Sequence, residues 1–380
     1  MRIVIAPDSY KGCLSAEAVC AAVARGVRKA LPEADVVSVP MADGGEGTLD
    51  SLLASGGRRV AVRARGPLDE PVDAAYGELE GGAAVIELAQ ASGLGLVPED
   101  RRDPLRATTY GTGELIRAAL DAGCRDFILA VGGSATNDGG AGMLQTLGLR
   151  LLDAEGRDIG PGGGELGRIA AIDASRFDPR IAESRFVLAS DVTNPLIGPK
   201  GASRVFGPQK GASPETVETL ERNMAHWADA VERHTGVRLH DFPGAGAAGG
   251  IGGAFLAFFP ASFRRGVDVV IERSPLRSAL RGADLVITGE GRIDSQTASG
   301  KTPMGVAQEA QRAGVPAVAI AGSVGPGIEA LYPHGLRAVF SLVNGPMTLA
   351  EAMRDAEPLL ESAAEQIVRA LLIGRKETMS

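Results

Sequence analysis

The sequence is short of aromatics, lysine and cysteine, and each shortage narrows what the chain can be. Phe, Trp and Tyr together make up 4% of the 380 residues, with a single Trp. Surfaces on which bases could stack are therefore scarce, and a net charge of −8 argues in the same direction, against a nucleic-acid binder. The three cysteines, Cys13, Cys20 and Cys124, show no metal-ligand spacing and read as free thiols in a reducing compartment. No stretch approaches the run of about 18 apolar residues that would span a membrane. The start, "MRIVIAPDSY", reads as a short strand followed by a polar loop, without the basic region and apolar core of a signal peptide. Together these features point to the cytoplasm. No Pro/Ser-rich linker, internal repeat or low-complexity segment is evident.

Lysine is scarce in a telling way: there are 6 Lys against 33 Arg, and four of the six touch a glycine, in "YKG" (Lys11), "PKG" (Lys200), "QKG" (Lys210) and "GKT" (Lys301). A compact ammonium beside flexible backbone suits an anion. The plainer reading is that lysine is common in turns. An acidic protein that handles an anionic substrate must do so with such local cations, a metal ion or helix N-termini.

At 380 residues with 44% apolar content, two domains with full cores are expected. "RIVIA" (2–6) reads as a buried strand. Ser15 is the expected N-cap of a helix that places Val19, Ala22, Val23, Gly26, Val27 and Ala30 on one face. "DVVSV" (35–39) and the short helix "LDSLLAS" complete a β/α opening. "RRVAVRARG", "PVDAAYGEL" and "AAVIEL" then follow without helices, as an antiparallel meander. A helix at about 113–122 capped by Thr112, strands at 126–131 and 185–190, and a helix opened by Ser213-Pro214 come next. Three more apolar strands, 284–288, 317–321 and 338–343, each precede a helical segment. A capping box, Thr348 with Glu351, marks the last helix, and the tail "RKETMS" reads as frayed. The expected fold is α/β with two α/β domains. A parallel-sheet, Rossmann- or flavodoxin-like domain comes from both termini (1–60 plus 281–380). A mixed α/β domain is inserted at 61–280, and the active site is expected in the cleft between them.

Several apolar strands end in a polar, glycine-rich loop, and ligands of open parallel sheets bind at such carboxyl ends. The loops "PDSYKG", "MADGGEGT", "GGSATNDGGAG", "SDVTNPL" and "TGEGRID" each carry a carboxylate near glycine: Asp8, Asp43 and Glu46, Asp138, Asp191, Glu290 and Asp294. Carboxylates that can hold Mg²⁺ or accept a hydroxyl proton, with glycine amides and lysines to neutralise phosphate, are what phosphoryl transfer needs. The same residues are also ordinary turn formers.

Two stretches imitate nucleotide motifs. "GEGRIDSQTASGKT" (289–302) ends like a P-loop, but Ser295 stands where the motif requires glycine. "GAGAAGG" (244–250) matches G-x-G-x-x-G, but follows a poor strand ending in Pro. A turn entering a tightly packed helix fits it better than a dinucleotide site. The four histidines show no ligand spacing, and neither Ser134 nor Ser190 has an evident His partner for a hydrolase triad.

On "APDSYKGCLSA", "MADGGEGT", "TTYGTGELI", "GGSATNDGGAGML", "SDVTNPLIGPKGA", "FGPQKG", "PGAGAAGGIGGAF" and "DLVITGEGRIDSQTASGKTPMGVA" the sequence resembles the class I bacterial glycerate kinases. These stretches run in order from residue 6 to 308. One departure is "RGPLDEPV", where the family more often has Gly after the Leu; no effect on chemistry is expected. The resemblance implies ATP-dependent phosphorylation of D-glycerate, mostly on the 2-hydroxyl to give 2-phospho-D-glycerate, with Mg²⁺ as cofactor. Transfer to the 3-hydroxyl is the alternative. A nicotinamide-dependent oxidoreductase and a non-catalytic sensor of small acids are the competing classes. Small molecules are the expected partners, and monomer and homodimer both stay open.

Within that reading, Asp191 is the favoured acceptor of the hydroxyl proton, with Asp294 second and Lys11 as a catalytic cation. Ser9, taken to lie at a helix N-terminus, Asp8, Asn194 and Arg292 are the expected substrate contacts. Gly44, Gly45, Gly47, Ser134, Thr136, Asn137 and Lys301 would meet nucleotide phosphates. Asp43, Glu46 and Glu290 would form the metal shell. Loop capping is the plain alternative for each.

Overall fold

A computed structural model describes residues 1–377, with residue 299 and residues 374–377 described through their backbone alone. The chain forms two compact units. One is Met1–Asp43, Asp50–Ser55 and Arg265 onward; the other is Gly44–Leu49 with Gly56–Arg264.

The chain opens with β1 (Arg2–Ile5), in which Ile3, Val4 and Ile5 are fully buried. Ser15 caps α1 (Ala16–Ala30), accepting a hydrogen bond from the Ala18 amide at 3.2 Å. Val19, Val23 and Val27, one turn apart, form its buried face. β2 (Asp35–Ser38) pairs parallel with β1, and α2 (Thr48–Leu53) follows.

The inserted unit begins with the meander β3 (Arg58–Arg65), β4 (Pro71–Glu78) and β5 (Ala83–Glu87), antiparallel throughout. In the β3–β4 turn Asp69 has φ of 70°, a left-handed conformation that glycine adopts without cost. Asp69, the residue after the Leu in "RGPLDEPV", is of a type that tolerates this conformation. After α3 (Ala89–Ser92) comes α4 (Tyr110–Asp121). It starts earlier than the expected 113–122, because Thr112 is buried inside it. The Thr112 hydroxyl donates to Ser92 Oγ at 2.8 Å rather than capping.

β6 (Asp126–Ala130), α5 (Ala141–Thr146), β7 (Arg150–Leu152), β8 (Ala171–Asp173) and β9 (Arg185–Ala189) follow. Then come α6 (Ala202–Phe206), α7 (Pro214–Thr235), α8 (Ala247–Phe258) and β10 (Ala261–Arg264). The sheet order is β10-β9-β6-β5-β4-β3, parallel from β5 to β10, while β7 and β8 form a separate antiparallel pair. Phe127 and Phe186 stack at 4.7 Å in the core beneath this sheet, with Phe255, Phe259 and Trp227.

The chain then returns to the first unit through α9 (Gly266–Arg273), α10 (Leu276–Ala279), β11 (Leu285–Ile293), α11 (Thr302–Arg312), β12 (Ala317–Val324), β13 (Leu336–Ser341), α12 (Leu349–Arg354) and α13 (Ala356–Glu377). β11 is longer than expected. The segment "GEGRI", read as loop, stays in the sheet because Arg292 and Ile293 pair in register with Ser323 and Val324 of β12. The Thr348–Glu351 capping box is present, but it opens the short α12 rather than the last helix. Of the tail expected to fray, residues 378–380 lie outside the described residues.

The five strands are parallel in the order β13-β12-β11-β1-β2. This is the doubly wound, flavodoxin-like arrangement, so the fold is α/β in both units. α13 packs across α1 so closely that a Cβ on Gly26 would lie 2.0 Å from the Glu361 carbonyl oxygen. Among the described residues no helix is long and apolar enough to cross a membrane.

Candidate active site

In the parallel sheet the chain moves one way from β1 to β2 and the other way from β1 to β11. The carboxyl ends of β1 and β11 therefore splay apart, and the crevice above such a reversal is where open α/β sheets bind ligands. A cavity of about 410 Å³ opens there, lined in part by Asp8, Ser9, Lys11, Glu290, Arg292 and Lys301. Six of the expected site residues, from segments far apart in sequence, thus line one cavity.

Its floor is a set of buried carboxylates. Asp8 is 3% exposed; it accepts the Thr302 hydroxyl at 2.7 Å on one oxygen and the Ser9 amide at 2.7 Å on the other. Burial, followed by the nearby negative charge of Asp43, pushes its carboxyl up to about 7, against the pull of Thr302, Lys11 and the Ser9 amide. Glu290 accepts the Thr297 hydroxyl at 2.7 Å and faces the Lys301 ammonium at 3.4 Å. Burial raises its pKa too, with Asp43 adding to the effect and Lys301 opposing it. Asp43 thus acts electrostatically on both Asp8 and Glu290, against the opposing pull of Lys11 on the one and Lys301 on the other.

The P-loop likeness resolves in two parts. Gly300 has φ of 118° and Lys301 sits at the N-cap of α11, so Gly-Lys-Thr does lead into a helix. The preceding residues form a 3-10 turn (Ser295–Ser299) instead of a glycine nest, and the Thr302 hydroxyl is committed to Asp8. Asp294 caps that turn, accepting the Gln296 amide at 2.9 Å, and pairs with Arg292 at 2.9 Å. These donors hold its pKa below the usual carboxylate range. Ser9 is not at a helix N-terminus: α1 starts only at Ala16, and both the Ser9 amide and its hydroxyl turn back to Asp8.

The remaining expected residues belong to the inserted unit. Gly44, Gly45, Glu46 and Gly47 form one loop there, with Glu46 exposed. The Gly44 carbonyl accepts the Gly132 amide at 3.2 Å, and the Gly47 and Leu49 amides donate to Glu87 at 3.2 and 3.0 Å. Ser134 and Thr136 meet Lys210, whose ammonium donates to Ser134 Oγ at 2.8 Å and to the Thr136 carbonyl at 2.6 Å, while the Asn137 side-chain amide donates to Ser203 Oγ at 2.9 Å. Burial lowers the Lys210 pKa to about 7, opposed by the Asp138 carboxylate. Thr136 Oγ1 and Asn137 Oδ1 are buried without a hydrogen-bond partner. Asp138 accepts from Thr109, Gly140 and Gly142 and is structural. Asp191 is exposed in the loop after β9. Asn194 anchors that loop, donating to the Lys200 carbonyl at 2.8 Å and accepting the Gly244 and Gly246 amides on its own carbonyl. "GAGAAGG" does enter a helix through a tight turn: Gly249 has φ of 69°, and a Cβ there would lie 2.0 Å from the Thr136 carbonyl oxygen.

Sequence reasoning passed over Glu87 and Thr302, and it read Lys210 as a cation for an anion where the structure buries it against Ser134 and the Thr136 carbonyl. Glu87 had a signal, as the single charge closing the apolar strand "AAVIE". It also missed that Asp229, Glu232 and His240 come together, with Asp229 Oδ1 2.8 Å from His240 Nε2; their spacing in the chain gives no hint of it.

The sequence model of the glycerate kinase family matches residues 3–372. The chain is 50% identical over 377 residues to the glycerate kinase of Bacillus subtilis (strain 168), covering 99% of each. It is 48% identical over 379 residues to the glycerate 2-kinase of Escherichia coli (strain K12), again covering 99% of each. A crystal structure of a candidate glycerate kinase 2 from Salmonella typhimurium LT2 superposes with a TM-score of 0.85 at 49% identity, covering 99% of both chains. With its doubly wound sheet, its carboxylate-floored cavity and these relatives, this chain belongs to the glycerate kinase family.

Proposed function

We propose that the protein transfers the γ-phosphoryl group of ATP to D-glycerate, giving ADP and 2-phospho-D-glycerate. The observation that carries this reading is the switch-point cavity, where Lys11, Arg292 and Lys301 stand over the carboxylates Asp8 and Glu290. Phosphoryl transfer needs cations against the three oxygens of the moving group and oxygen ligands for a divalent ion. Asp43, whose charge acts on both Asp8 and Glu290, and Glu290 itself are hard-oxygen donors suited to Mg²⁺. That ion, when bound, would neutralise charge on the donor phosphates. Glu46, exposed on the glycine loop, is a less favoured member of the set.

The substrate hydroxyl attacks the γ-phosphorus, a new O–P bond forms, the bond to ADP breaks, and the hydroxyl proton leaves to a carboxylate. Asp191 is the proposed acceptor, with Asp294 second. Lys11 and Lys301 offset the developing charge, and Ser9, Asp8, Asn194 and Arg292 are the proposed substrate contacts. Gly44, Gly45, Gly47, Ser134, Thr136 and Asn137 are the proposed phosphate contacts of the inserted unit. Transfer to the 2-hydroxyl is favoured by the similarity to the glycerate 2-kinase of Escherichia coli. A coupled ADP-release assay with D-glycerate, ATP and Mg²⁺, with the product resolved by phosphorus NMR, tests the reading. D-Glycerate-dependent ADP release with the phosphate on the 2-oxygen is expected. No such release overturns the activity, and phosphate on the 3-oxygen overturns the regiochemistry.

A further inference from the structure

The cavity at the β1–β11 reversal has a mixed lining. Besides its charged residues, Leu342, Leu349 and Met353 line it, with Ala352 and Ala356. The Thr348–Glu351 capping box fixes the start of α12, and Leu349 and Met353 then share one face of it at i, i+4 spacing, while Ala356 opens α13. The Cys13 thiol donates to the Met353 carbonyl at 3.2 Å, tying that helix to the loop that carries Lys11. Leu349 is 77% exposed and Met353 37%. Two exposed apolar side chains lining one charged cavity form a contiguous apolar patch, the kind of surface that ligands cover.

Glycerate has no use for such a patch, since each of its three carbons carries oxygen. A nucleoside triphosphate has the complementary shape: a flat, weakly polar heterocycle at one end and an anionic chain at the other. We infer that Leu342, Leu349 and Met353 form the nucleobase seat of the phosphoryl donor, with its phosphates directed to Lys11 and Lys301. The inference rests on the kinase reading above for the identity of the donor, and it deepens that reading by placing the base. Leucine and methionine suit the role because the thioether adapts to a flat ring and the branched side chain covers its face. The seat lies on the same unit as Lys11 and Lys301.

The test uses the full chain with Leu349→Asp and Met353→Asp made separately, and Leu349→Ala as a milder variant. Isothermal titration with MgADP and with inorganic tripolyphosphate measures binding without requiring turnover. MgADP should bind about tenfold more weakly to each Asp variant, while tripolyphosphate, which reaches only the cations, stays within about twofold. The KM for ATP should rise while that for D-glycerate holds. Unchanged MgADP binding in both Asp variants overturns the inference, and so does an equal loss for tripolyphosphate, which would mean general distortion. A wild-type chain that binds MgADP through these side chains yet releases no ADP with D-glycerate leaves the seat standing and removes the activity. Normal turnover with variant-insensitive MgADP binding does the reverse.

Discussion

Lys210 offers the sharpest quantitative test of the inserted unit. Its ammonium is 2% exposed and held by two oxygens, Ser134 Oγ and the Thr136 carbonyl. Its pKa falls from 10.5 to about 7, chiefly through burial. Between those values the unfolded chain keeps a proton that the folded chain has released. Stability therefore rises with pH across the window, and is flat below about 7, where both forms are charged. Each pH unit inside the window is worth up to about 1.4 kcal/mol. Starting from half protonation, the climb from pH 7 to pH 9 amounts to about 2 kcal/mol. Lys210→Met keeps the bulk, removes the charge and leaves the two oxygens without their donor, a loss of about 1–3 kcal/mol. Trp227, the single tryptophan and fully buried in the same unit, reports urea unfolding of that unit by fluorescence. Wild type should gain about 2 kcal/mol over the variant on going from pH 7 to pH 9. A gap between the two proteins that is the same at both pH values would refute the reasoning, because it would mean Lys210 does not titrate there.

Asp191→Asn should leave the melting temperature unchanged and cut kcat by about 100-fold, the scale of losing a general base; near-normal turnover removes it from that role. Asp294→Asn retains a competent cap, so kcat should stay within about threefold, whereas Asp294→Ala should cost about 1 kcal/mol of stability in thermal unfolding. A loss of about 100-fold in Asp294→Asn would make it the proton acceptor instead. Asp69→Gly relieves the left-handed turn residue and should stabilise the inserted unit by up to about 1 kcal/mol in the Trp227-monitored transition. The lost ion pair with Arg65 is solvent-exposed and counts for little.

Much of the scaffold was legible in the sequence because local signals agreed with the final packing. Ser15, Ser213 and Thr348 all cap helices through their side chains, and the meander β3–β5 announced itself by turn residues. What was illegible depended on distant partners. β11 runs on through two glycines because β12 lies beside it to accept the pairing, and no property of "GEGRI" alone could show that. Thr112 had the chemistry of a cap but found Ser92 instead. In the site, the residue types around the cavity were picked out from loops after strands, while the hydroxyls that orient the carboxylates, Thr297 and Thr302, were not. A threonine in a helix or turn looks the same in sequence whether it meets water or a buried Asp8. Lysine beside glycine proved to be several things: Lys11 and Lys301 line the cavity, Lys200 is exposed, and Lys210 is buried.

The close crossing of α1 by α13 bears on the order in which the molecule is made. β1 is translated before the inserted unit, but its neighbour β11 and the helix that covers α1 are translated only after Arg264 has closed that unit. The apolar face of Val19, Val23 and Val27 must therefore wait, without its cover, while a whole domain forms ahead of it. Synthesis that halts short of α13 leaves a finished insert hanging from an unsealed sheet, a species suited to capture by chaperones.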